Sequence, residues 1–171
     1  MPYIKRETRP RMDNVVEELY RVPLGSEELI YILFRYCDQY ITPSYNNYKN
    51  FCGELRQCAT EIERRTGAKE ASIVNESVDF EYIIKYLIRK DICDKKIKYM
   101  GGAGIEVNGD LNYILYAYCL RHKTVKEYSE FWNKARYRLF ARELRLTAKA
   151  IEKEILAKYE DQKIIENGDV L

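Results

Sequence analysis

The side chains able to do chemistry are few, and their spacing does not favour catalysis. A nucleophile activated by proton transfer needs a base that titrates near neutrality, most often histidine. The chain has a single histidine, His122, set between Arg121 and Lys123, and no serine or cysteine stands in a nucleophile elbow. The five cysteines, Cys37, Cys52, Cys58, Cys93 and Cys119, never form a C-x-x-C pair. One histidine cannot complete a zinc set with cysteines so spaced. No metal and no cofactor are expected, and the chain reads as a non-enzyme. Glu54 and Glu143 occupy matching places, as do Arg56 and Arg145. On a helical wheel they flank an apolar stripe, where ion pairs or interface groups are expected rather than acid–base catalysts.

The excess lies elsewhere, in 16 tyrosines beside 14 arginines. The stretch "ARYRLFARELR" at 135–145 interleaves them. Aromatic faces stack on bases, and arginine forks grip phosphate with two parallel hydrogen bonds. The same residues are enriched at protein interfaces. From Arg121 to Lys149 nine cations face three glutamates, whereas the twenty residues from Glu152 carry six acids and three lysines. An anion site, or packing of the acidic tail on the basic stretch, would each explain this polarity. Duplex nucleic acid is the less favoured partner, because a pI of about 8.2 with an acidic tail falls short of a strongly basic reader.

Positioning these groups falls to helices. "ELIYILFRYC" at 28–37 and "DLNYILYAYC" at 110–119 share six of ten residues, 82 positions apart. Apolar residues at Leu29, Ile32, Leu33, Tyr36 and Cys37, and at Leu111, Ile114, Leu115, Tyr118 and Cys119, make one buried helix face in each copy. Ser26 and Asp110 stand where N-caps belong. A second match follows each copy. "FCGELRQCATEIE" (51–63) and "FARELRLTAKAIE" (140–152) share seven of thirteen residues.

The second hairpin is longer, and the capping box "TVKE" predicts a helix from Thr124 to about Ala157. Thr42-Pro43 predicts a helix start in the first unit, with Gly67 as terminator. Between the units, "SVDFEYIIKYLIRKDI" (77–92) reads as an amphipathic helix. The arms around Gly101, Gly102 and Gly104 (97–107) suit a short β-hairpin. The glycines lack the spacing of a phosphate-cradling loop. The expected plan is all-α, one compact bundle of two related helical hairpins: 1–75, a linking segment 76–108, and 109–171. At 171 residues, 46% hydrophobic and 33% charged, with no apolar run long enough to span a bilayer and no signal peptide, it is expected in the cytoplasm.

The start "MPYI", "GDLNY" at 109–113 and "YEDQKIIENGDV" at 159–170 resemble an uncharacterised family of small phage, prophage and bacterial proteins. Members of that family are about half this length and carry one copy of the plan. The resemblance implies an enlarged, internally duplicated form, a fused pseudo-dimer, and implies no activity. Together with the Arg/Tyr-rich second unit and the absence of catalytic groups, it makes the lead functional expectation a non-enzymatic phage-type protein that binds and sequesters a small anionic ligand, such as a nucleotide signal in host defence. Expected ligand contacts are Asn112, Tyr113, Arg136, Tyr137, Arg138, Arg142 and Arg145, in a homo-oligomer. The alternatives are a helical oligomeric adaptor that blocks a host protein, or a nucleic-acid-binding accessory protein.

Overall fold

The computed structural model describes residues 4–70, 72, 73 and 76–162. Among them there are helices and no strand, so the fold is all-α. Helix α1 (Arg9–Arg21), α2 (Ser26–Tyr40) and α3 (Tyr45–Thr66) form the first unit. A single turn, α4 (Phe80–Tyr82), runs into a π-turn at Ile83–Leu87. Then follow α5 (Lys90–Gly101), α6 (Asn112–Lys123) and α7 (Glu130–Glu154), with a second π-turn at Val107–Leu111 leading into α6.

The two copies superpose as a sequence pattern on one core. Phe51, Leu55, Ala59 and Ile62 of α3, and Phe140, Leu144, Ala148 and Ile151 of α7, are all fully buried, and α3 packs along α7 as the central pair. Each large side chain so buried contributes roughly 1.5–3 kcal/mol. The outer helices cross over: α1 packs on α6 of the other unit, and α5 packs on α2. The units therefore interlock about an internal two-fold, each covering the apolar face of the other.

Specific bonds repeat across that two-fold. Tyr31 on α2 donates to Asp94 of α5 at 2.9 Å, and its counterpart Tyr113 on α6 donates to Asp13 of α1 at 2.6 Å. Arg56 of α3 grips Glu152 of α7 at 2.7 and 2.5 Å, while Arg145 of α7 grips Glu63 of α3 at 2.5 Å with both nitrogens. Residue i of one copy meets j of the other, and j meets i. That reciprocity is the signature of an isologous interface.

The structure also shows a third repeated element, α1 with α5. Buried Met12, Val15, Val16 and Leu19 recur 81 residues on as Cys93, Lys96, Ile97 and Met100. Lys96 sits in the place of Val15. Its ammonium donates to the carbonyls of Glu18 (2.5 Å) and Leu19 (3.3 Å), which the end of α1 leaves unpaired.

Several local expectations give way to tertiary contacts. The β-hairpin expected at 97–107 is instead the end of α5 and a turn, since Ile97 and Met100 continue a helical face and the Gly102 amide donates to Lys98 O. The helix expected over 77–92 is broken at Ile88-Arg89. There the Arg89 amide donates to Glu28 Oε2 at 3.0 Å and its guanidinium reaches Glu28 and the Pro23 carbonyl. The helix expected from Thr124 starts at Glu130, capped by Ser129. Asn133 holds the preceding loop open by accepting from the Val125 amide and donating to its carbonyl. Ser44 rather than Thr42 caps α3, Gly25 rather than Ser26 caps α2, and Asp110 lies within the second π-turn, where it accepts from the Glu106 amide. Gly67 ends α3 in the left-handed conformation (φ 72°), as expected. Most of the tail expected to dock on the basic stretch, from residue 163 on, lies outside the described residues.

Candidate functional site

The seven expected ligand contacts divide by helix. Asn112 and Tyr113 open α6, and Arg136 reaches the carbonyl of Lys123 at the far end of that helix. At ~1.5 Å per residue the two groups stand about 16 Å apart along α6. Asn112 is buried against α3, where its carbonyl accepts from the Cys58 thiol and its side-chain oxygen has no partner among the described residues. Tyr113 is tied to Asp13, and burial together with that bond pushes its phenol up to about 12.

On α7, two of the arginines are neutralised. Arg142 pairs with Glu76, and Arg145 pairs with Glu63 in a site where the side chains are only 12% and 9% exposed. Tyr137 shares a 2.5 Å hydrogen bond with Thr124. Arg136 and Arg138 meet carbonyl oxygens, of Lys123 and Glu70, and have no carboxylate partner among the described residues. The basic stretch is thus split. Its C-terminal half is paired, Arg145 with the other repeat and Arg142 with the linking segment, and its N-terminal half leaves Arg121, Lys126 and Arg138 exposed.

That N-terminal half displays what residue spacing had not singled out. Phe131 is 71% exposed and Trp132 60%, their rings edge to face at 5.4 Å. Tyr128 and Leu139 are exposed beside them, and the Arg136 guanidinium lies 5.9 Å from the Tyr128 ring. The lengthening of the second hairpin carries Phe131 and Trp132, which lie before the residues that match α3. Phe131 precedes the buried Phe140 by nine residues, about half a turn around the helix at ~100° per residue. That offset was the available signal. Between Arg121 and Arg138 six cations face two glutamates, so the aromatic face is set in positive charge.

Burial shapes the remaining reactive groups. Desolvation, then the nearby Lys123 and Arg136 charges, lower His122 to about 4, so the ring is neutral. All five cysteines are buried and reduced, and burial raises every thiol. Burial raises Glu143 to about 7 against the Ser26 contact and the Lys123 charge, and one of its oxygens has no partner among the described residues. The matching Glu54 meets the Gly109 amide. Glu143 of α7 thereby sits at the start of α2, and Glu54 of α3 sits at the turn that leads into α6. Among the described residues no set of three metal-ligating side chains is gathered, and no helix is long and apolar enough to cross a membrane.

No curated protein and no solved structure matches the chain. One family profile, Domain of unknown function (DUF6899), matches it twice, over residues 1–79 and 71–170. The second match takes in α5, so the segment between the two hairpins supplies the first helix of the second copy. The interlocked repeats are two copies of one domain, and the chain belongs to the DUF6899 family in doubled form.

Proposed function

We propose that the protein is a non-enzymatic interaction protein that docks an acidic partner protein on the N-terminal face of α7. The observation that carries this is the exposed Phe131–Trp132 pair flanked by Lys126, Arg136 and Arg138, none of which has a carboxylate partner among the described residues. Scattered exposed apolar residues are ordinary, but adjacent large aromatics ringed by cations have the composition of an interface hot spot. The positive rim selects an acidic surface and speeds its approach. A neutral histidine and five buried thiols held in the protonated form support the absence of catalysis.

The resemblance to phage and prophage proteins supports a setting in the host cytoplasm, with a host protein as the target. A second reading is sequestration of a small nucleotide-like anion as counter-defence. It draws support from a different place, a polar cleft at the seam between the repeats.

Native mass spectrometry of the protein after incubation with host extract tests the first reading. The expected result is one stoichiometric protein partner, lost with Trp132→Ala and with Arg138→Glu and released by salt. Retention of nucleic acid instead, a dimer of the chain that needs Trp132, or a partner indifferent to both substitutions would each overturn it.

A further inference from the structure

The two-fold relates two ends of the bundle, and they are not alike. At one end of the bundle the loop before α6 faces the α2–α3 connection across a cavity of about 330 Å³. Tyr40, Thr42, Asn47, Asn50, Glu106 and Asn108 line it. A second cavity of about 260 Å³ shares Glu106 and Asn108 with the first and adds Lys5, Thr8, Arg11 and Asp110. Together they form one groove of the size that small ligands occupy.

Both repeats contribute its walls. Tyr40 can lie flat over Gly101, because a Cβ there would stand 2.2 Å from the tyrosine ring. On the opposite side the chain departs from helix: Asn108 is extended (ψ 105°) and Gly109 takes φ 95°, a left-handed value that a side chain would strain. The matching residue of the first copy, Glu27, lies inside the regular helix α2. π-turns and unusual backbone at the start of an otherwise repeated helix are common where function intrudes on packing.

The other end of the bundle shows what can fill such a groove. Counterparts of Tyr40, Ile41, Asn47 and Asn50 are His122, Lys123, Arg136 and Leu139, so the amides are gone. Where Thr8 stands at the open end, Arg89 stands at the closed one. Its guanidinium donates to both oxygens of Glu28, the counterpart of Asp110. A tethered donor group thus occupies the closed end, and the open end holds the same kind of carboxylate without it.

Among the described residues Asn50 and Asn108 make no hydrogen bond through their side chains, and Asn47 uses only its amide nitrogen, on the Thr42 carbonyl. Lys5 and Arg11 have no carboxylate partner among the described residues. The groove therefore offers an aromatic wall, amides that both donate and accept, carboxylates that accept, and two cations at one end. We infer that this cleft binds a phosphorylated ring compound carrying hydroxyl or amino groups, a nucleotide or a sugar phosphate. The ring lies against Tyr40 and the amides, its donors face Glu106 and Asp110, and its phosphate meets Lys5 and Arg11. None of these residues belongs to the aromatic face of α7, so this inference stands apart from the partner-protein reading and rests on the second reading, which it deepens by naming the ligand chemistry.

Calorimetry on the full chain with adenosine, guanosine and cytidine monophosphates, ribose 5-phosphate, glucose 6-phosphate and inorganic phosphate tests it. At least one ring phosphate should bind at one per chain, about tenfold tighter or more than its unphosphorylated parent and than phosphate alone. The nucleotide and sugar arms identify the ring. Arg11→Glu and Asn50→Leu, both at exposed positions, should each weaken that binding about tenfold or more with the helical circular dichroism unchanged, and Arg138→Glu should not. No ring phosphate bound at millimolar concentration, binding that survives both cleft variants, or binding lost only with Arg138→Glu would overturn it.

Discussion

The reciprocal ion pairs that join α3 to α7 permit a test with an internal control. Arg145–Glu63 and Arg56–Glu152 are the same contact by sequence, made twice in opposite directions. Their surroundings differ. The side chains of the first pair are 12% and 9% exposed, and those of the second are 43% and 38%. Coulomb attraction between exposed groups is screened, and such pairs contribute about 0–1 kcal/mol. Removing one member of a buried pair strands the other charge in a poor solvent, at a cost of about 3–5 kcal/mol. Arg145→Met should therefore destabilise the fold by about 3 kcal/mol or more, and Arg56→Met by about 1 kcal/mol or less. For a chain of this size each kcal/mol moves the melting midpoint by about 2–4 °C. Urea titration with the slope held constant reads both values, and thermal melts give the same order. The double substitution Glu63→Met with Arg145→Met should recover much of the loss, because the buried carboxylate is removed along with the guanidinium. Equal losses for Arg145→Met and Arg56→Met, or a double variant as weak as the single one, would refute the reasoning from burial.

Other perturbations follow from the same packing. Glu143 titrates at about 7 in the fold against 4.5 for a free glutamate, because burial disfavours its charge. Between those values the native state holds more protons than the unfolded chain, so stability falls as pH rises through this window. Glu143→Gln, which stays neutral, should match the parent near pH 4 and exceed it by on the order of 3 kcal/mol at pH 8, and parallel pH–stability curves would contradict this. The five buried thiols should resist a thiol-reactive dye in the native protein and all react once urea unfolds it; a rapidly labelled native cysteine would show an opening that the packing does not contain. Residues 1–75 and 76–171, produced separately, should each lack cooperative melting and regain it on mixing. Within the first unit its three helices barely touch one another, so a stable isolated half would contradict the interlocked arrangement.

What the residues revealed in advance, and what they did not, follows from how each element is stabilised. The paired faces of α2 with α6, and of α3 with α7, were legible because ten residues of the one and eight of the other keep a 3.6-residue period under burial. The α1–α5 repeat was not. Its four core positions keep their spacing while every identity changes, with lysine in the place of valine, so nothing but the docking onto α2 and α6 reveals it. The alternation around Lys96–Met100 resembled a strand because five residues cannot distinguish period 2 from 3.6. The packing of Cys93, Ile97 and Met100 decides it. The loop at 124–129 hid a helix start because Asn133, from the next helix, completes the backbone of Val125. Of the expected contacts, Arg138 is exposed and Arg136 is half-buried against the end of α6. Arg142 and Arg145 met partners on α3 and beyond it that no local pattern contains.

A doubled chain separates scaffold from function in a way that a single copy does not. Positions that recur and bond reciprocally, such as Tyr31 with Tyr113 and Arg56 with Arg145, are accounted for by holding the copies together. In a dimer of identical subunits every surface occurs twice, and a change that opens one cleft opens both. Joining the copies in one chain removes that constraint. Arg89 can then sit on Glu28 at one end while Thr8 leaves Asp110 facing a groove at the other, and Phe131 and Trp132 can be added to α7 with nothing like them on α3. Both candidate surfaces lie where the two-fold is broken. Selection that acted on packing alone would have had no reason to break it twice, once by lengthening a helix and once by distorting the start of another.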